Sequence, residues 1–113
     1  MLGAIWLPLL ILGSSAWAHA FLDHADPRVG GTVVGAPQEV SLSFTQNLEP
    51  AFCTMEVTGP SGQRVDDGKP RIDGKAMSVP LRADQPGIYQ VKWRVLSADT
   101  HTTEGAFSFT VRQ

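Results

Sequence analysis

Asp99 and His101 stand two residues apart, just after a strongly alternating run that ends at Val95. Alternate residues of an extended strand point the same way, so at the end of such a strand both side chains can face one metal ion. The other end of the chain supplies a matching group. If a leader is removed after Ala18, the protein begins His19-Ala20-Phe21, and an N-terminal histidine offers two nitrogens, its free amine and its ring. Two imidazoles, one amine and one carboxylate form a four-donor set that suits Cu(II) in a tetragonal geometry. His24 is a further candidate ligand or supporting group. It follows His19 by five residues, an odd spacing that puts the two side chains on opposite faces of a regular strand.

Residues 1–18 have the pattern of an export leader. Leu7–Leu12 is apolar, interrupted by Pro8; Gly13, Ser14 and Ser15 follow, and Ala16-Trp17-Ala18 fits the small-x-small cleavage rule. The apolar stretch is shorter and more broken than the roughly 20 residues of a membrane span. The leader has no Lys or Arg, so its positive charge is the amino terminus alone. Ala18-His19-Ala20 satisfies the same rule, and a cut there would leave Phe21 first, without the terminal chelate. The expectation is a signal peptide over 1–18 and one exported domain over 19–113, not embedded in a membrane.

The formal net charge is −2, with no run of Lys or Arg. That argues against nucleic acid and anionic membrane as partners. Cys53 is the only cysteine, so no disulfide forms within the chain and stability rests on packing. A small apolar residue buried in a strand is the expected role for it.

The elements that must position these residues are strands. After the leader the chain shows little helical periodicity, and short alternating runs are separated by Gly, Pro and Asp turns, the pattern of a sandwich or barrel. Strands are expected at Phe21–Ala25, at Glu39–Phe44 with Val40, Leu42 and Phe44 on a dry face, and at Cys53–Thr58 with Cys53, Met55 and Val57 inward. Met77, Val79 and Leu81 mark another, with Pro80 near an edge or an end. Tyr89, Val91, Trp93 and Val95 share one face of the most regular strand, and Phe107, Phe109 and Val111 make the last. Asp84, Gly87 and Tyr89 have the spacing of a tyrosine corner, with Val91 where an antibody domain would place a cysteine. Ser97–Gly105 is expected as a loop carrying Asp99, His101 and Glu104, at one end of a rigid scaffold. Asp66-Asp67 is expected as a solvated turn.

These residues resemble the CopC family of exported copper-binding proteins, in its Cu(II)-only form. The likeness rests on His19-Ala20 at the mature start, Pro27 and Gly30, Leu42-Ser43-Phe44, Gly87 through Val95, Ser97-Ala98-Asp99-Thr100-His101, and Gly105 through Phe109. It covers essentially the whole chain after the leader. The resemblance implies an all-β, immunoglobulin-like Greek-key sandwich or barrel of about seven strands. It also implies one Cu(II) per chain, held by the amine and ring of His19, the ring of His101 and the carboxylate of Asp99. It implies a periplasmic monomer that serves copper homeostasis or resistance, with a membrane copper transporter of CopD type as a delivery partner. Some members carry a Met-rich segment for Cu(I); after the leader this chain has only Met55 and Met77, far apart. Many members have Gly where Thr100 stands here, and many carry an acidic residue near Gln46, with Glu49 following here.

Three functions compete: a copper carrier or buffer, a copper-dependent oxidative enzyme using the same histidine chelate, and a metal-free immunoglobulin-like interaction module. A small sandwich with a direct Asp ligand has little room for a polysaccharide, and anionic ligation disfavours reduction to Cu(I). Nucleophilic catalysis has no support, since Cys53 has no nearby His in sequence and no Gly-x-Ser-x-Gly or phosphate loop exists. A binding protein, not an enzyme, is the expectation.

Overall fold

A computed structural model of the protein describes residues 20–113. His19 and the expected leader lie outside the described residues. Two four-stranded sheets pack face to face. The strands are β1 (Leu22–Asp26), β2 (Thr32–Val34), β3 (Glu39–Phe44), β4 (Thr54–Thr58), β5 (Arg71–Asp73), β6 (Ala76–Pro80), β7 (Gly87–Leu96) and β8 (Thr102–Arg112). One sheet has the order β1-β3-β6-β5 and the other β2-β8-β7-β4. All pairs are antiparallel except the short β2, which runs parallel to β8. The architecture is the immunoglobulin-like sandwich expected, with eight strands in the described chain; β2 and β5 were not expected.

The core forms where the alternation said it would. Val40, Leu42 and Phe44 of β3 and Met77 and Val79 of β6 face Met55, Val57, Tyr89, Val91, Trp93, Val95, Phe107, Phe109 and Val111 of the other sheet, all buried. Trp93 meets Phe44 edge-on across the sandwich, ring centroids 5.0 Å apart, a favoured aromatic arrangement. Tyr89 stacks on Phe109 and completes the tyrosine corner: its hydroxyl donates to the Gln85 carbonyl at 2.6 Å. Pro80 ends β6, an interior strand, so the missing N–H costs the ladder little.

Three local features differ from a plain alternating reading. A register shift between Leu22 and His24 in β1 lets both Leu22 and Ala25 pack on the core, although their spacing is odd. Asp66 is not solvated. Its side chain has no exposed surface; its carboxylate accepts from the Val57 N–H at 2.7 Å, the Gly68 N–H at 2.7 Å, and the Arg64 guanidinium at 2.7 and 3.0 Å. It stands in for a strand partner at the outer edge of β4, where edge groups otherwise invite pairing with another chain. Finally, β8 begins at Thr102, so the expected Ser97–Gly105 loop is shorter. Glu104 pairs with Arg94 and Gly105 with Trp93 inside the sheet, and Glu104 belongs to the sheet face, not to the Asp99–His101 loop.

Candidate metal centre

β7 and β8 form a long hairpin whose last ladder pair is Leu96 with Thr102. The Ser97 N–H donates to the His101 carbonyl at 2.9 Å and closes the end, leaving Ala98, Asp99 and Thr100 as a three-residue loop. Such a loop needs a left-handed residue at its last position, and Thr100 takes it, with φ +73°. Asp99 and His101 therefore converge through a tight turn and not through strand alternation. The His101 Nδ1 lies 3.4 Å from the Asp99 Oδ1, with side chains 47% and 41% exposed, so both remain open to an ion from solvent.

Ser97 organises the loop from beneath. It continues the inward row of Tyr89, Val91, Trp93 and Val95, and it is fully buried. A hydroxyl at a dry position needs partners. Its hydroxyl donates to the Asp99 carboxylate and accepts from the His101 N–H at 3.3 Å. The hydrogen bond from Ser97, joined by the His101 ring beside it, holds the Asp99 carboxyl below the usual carboxylate range. The Ala98 N–H donates to the Asn47 carbonyl at 2.9 Å and the Glu49 N–H to the Leu96 carbonyl at 2.9 Å, tying the loop to the segment after β3.

The described N-terminal residues reach the same end of the sandwich. Ala20 is buried, and its carbonyl accepts from the Thr103 hydroxyl at 2.7 Å. Phe21 and Thr45 exchange two bonds: the Phe21 N–H donates to the Thr45 hydroxyl at 2.9 Å, and the Thr45 N–H donates to the Phe21 carbonyl at 3.0 Å. The Ser-x-Asp-x-His motif contains Ser97 without revealing its role, and it leaves out Thr103 and Thr45. The signal for the first two was a polar residue in an otherwise apolar inward row; Thr45 offered none.

Of the four candidate ligands, the structure brings Asp99 and His101 together. His24 is exposed on β1, in the other sheet, opposite Ser43. Among the described residues no three His, Cys, Asp or Glu side chains gather as a metal cluster. Met55 and Met77 are buried in the core and present no thioether to solvent. Cys53 is buried as expected. Its thiol donates to the Glu49 carbonyl at 3.3 Å, and burial pushes its pKa up, away from the thiolate a metal would need.

Residues 22–112 match the CopC domain family. The chain belongs to the CopC family. Among CopC relatives, it is 36% identical over 102 residues to Protein YobA of Escherichia coli K12, an alignment covering 87% of this chain and 82% of that one. It is 34% identical to copper resistance protein C of Xanthomonas campestris pv. juglandis, covering 90% and 87%. The crystal structure of CopC from Methylosinus trichosporium OB3b superposes with a TM-score of 0.76 at 31% identity, covering 82% of this chain and 93% of that one. Membership places the chain with proteins named for copper resistance, not with proteins named as enzymes. Among the described residues no helix is long and apolar enough to cross a membrane.

Proposed function

We propose that this protein is an exported copper-binding protein that holds one Cu(II) through an N-terminal histidine chelate and buffers or delivers it in copper homeostasis or resistance. The ligands are the amine and ring of His19, the ring of His101 and the carboxylate of Asp99. The reading takes residues 1–18 as a cleaved signal peptide, the periplasm as the compartment, a monomer as the working state and a membrane copper transporter as the recipient. The observation that carries it is the Asp99–His101 pair, preset 3.4 Å apart and half-exposed on a short loop, with Ala20 anchored two residues along β8 from His101. Imidazole and amine nitrogens favour Cu(II), and an ionised carboxylate offsets part of its charge. The relative named copper resistance protein C supports the same metal.

The test is a copper titration of the processed protein followed by electron paramagnetic resonance. One extra residue before His19 should weaken binding almost as much as His19→Ala, because it removes the free amine. His101→Ala should weaken binding severely, and Asp99→Ala less, since three nitrogens remain. Equal affinities and spectra with and without the added residue would overturn the terminal chelate.

A further inference from the structure

We propose that Thr103 is a positioning residue of the copper site: by holding the Ala20 carbonyl, its hydroxyl sets where a ligand on the preceding residue meets Asp99 and His101. The inference rests on the terminal-chelate reading above. The bond spans 83 residues of sequence at 2.7 Å and joins the start of the described chain to the strand that leaves the ligand loop. Thr103 is two residues from His101 and pairs with Val95 across the hairpin. It heads the inward row of Thr103, Gly105, Phe107, Phe109 and Val111, whose last three members are core residues. A valine would fill that position and suit the strand. The hydroxyl adds one thing a valine lacks, a donor aimed at the carbonyl of a buried residue. Thr45 holds the next residue, Phe21, by two further bonds, so the backbone is fixed on both sides of the Ala20–Phe21 peptide.

The consequence follows from chain geometry. Consecutive Cα atoms are about 3.8 Å apart, so whatever anchors Ala20 bounds the reach of a ligand at position 19. The two halves of the donor set come from opposite ends of the sequence. Without an anchor, copper itself would have to order the N-terminal half, and that lost entropy would appear as lost affinity. Thr103 supplies the order in advance, through a hydroxyl that donates to backbone and is outside the proposed donor set.

The experiment compares Thr103→Val and Thr103→Ser in the processed protein, each with and without His19→Ala. Cu(II) affinity is read by competition with a chelator, site geometry by electron paramagnetic resonance, and apoprotein stability by thermal unfolding. Thr103→Val should bind copper about tenfold more weakly, the scale of one lost hydrogen bond, with an altered spectrum. Thr103→Ser should restore both. In the His19→Ala background, where the terminal amine alone is left to position, the loss of affinity from Thr103→Val should be clearly smaller, the mark of coupling between the two positions. An equal loss in both backgrounds would reduce Thr103 to a structural residue and overturn the proposal. So would unchanged affinity in Thr103→Val while His19→Ala binds weakly. If His19→Ala alone left copper binding intact, the terminal chelate would fail first and the positioning role with it.

Discussion

The Cβ that Gly105 lacks would sit 2.6 Å from the indole of Trp93, its ladder partner on β7. No real Cβ contact is that short, so the ring lies where it does because position 105 has no side chain. The same ring meets Phe44 of the opposite sheet at 5.0 Å. Gly105→Ala should therefore push Trp93 against the second sheet and cost about 1–3 kcal/mol, the range of an overpacked core. In a chain beginning at His19, Trp93 is the single tryptophan. Denaturant unfolding followed by its fluorescence would measure the loss, and a shifted native emission would show the displaced ring.

Thr100 is a β-branched residue held at φ +73° between Asp99 and His101. The left-handed conformation costs about 1–2 kcal/mol for a residue with a Cβ. Glycine removes that cost but adds roughly 0.5–1 kcal/mol of unfolded-state entropy. Thr100→Gly should then stabilise the apoprotein by up to about 1 kcal/mol, and Thr100→Ala, which keeps a Cβ, should gain less. Thermal unfolding of the two variants checks the order. Destabilisation by glycine would mean that the threonine side chain contributes more than its backbone strain removes.

The legible parts of this fold are those where burial and alternation coincide. Alternation alone gives Glu39–Phe44 its observed bounds, because the buried residues are separated by polar ones. Tyr89 announced its corner through Asp84 and Gly87. The three-residue β2 and β5 are too short to carry a period. Alternation alone ends the β7–β8 hairpin early, because Thr103 and Gly105 interrupt the apolar row, one for a hydrogen bond and the other for an indole. Asp66-Asp67 looks like any acidic turn until Val57 and Arg64 are brought beside it by tertiary structure. At the site, Asp99 and His101 were legible as a pair, although the turn that joins them was not. The anchor on Ala20 joins residues too distant in sequence for spacing to reveal.

Asp66 should govern acid stability. Burial alone would raise its pKa, but the hydrogen bonds from Arg64 and the Val57 and Gly68 N–H groups outweigh burial and hold the carboxyl below its usual range. A group depressed in the folded state stabilises it above the unfolded value of about 3.9 and loses that contribution as pH falls through the lower folded value. Asp66→Asn places an amide against those donors and should cost about 2–3 kcal/mol at neutral pH. It should also flatten the acid limb of the stability curve. Urea unfolding at a series of pH values reads both effects, and an unchanged acid limb would assign acid sensitivity to other carboxylates.

Proton competition should separate the proposed copper ligands from one another. Each nitrogen donor must be deprotonated to bind, so the logarithm of apparent Cu(II) affinity should fall with acidity, its slope rising toward three protons per copper. Asp99 should add nothing to that slope. The Ser97 hydroxyl keeps its carboxyl below the usual range, so the carboxylate is already ionised wherever the nitrogens compete, and its proton enters only in stronger acid. Asp99→Ala should accordingly lower the affinity at every pH while leaving the slope between about pH 5 and 8 unchanged, since an ordinary aspartate is itself ionised there. His101→Ala should reduce the limiting slope by one. Chelator competition at several pH values gives both slopes, and a slope lowered by Asp99→Ala in that window would mean that the carboxyl carries a proton in the copper-free protein.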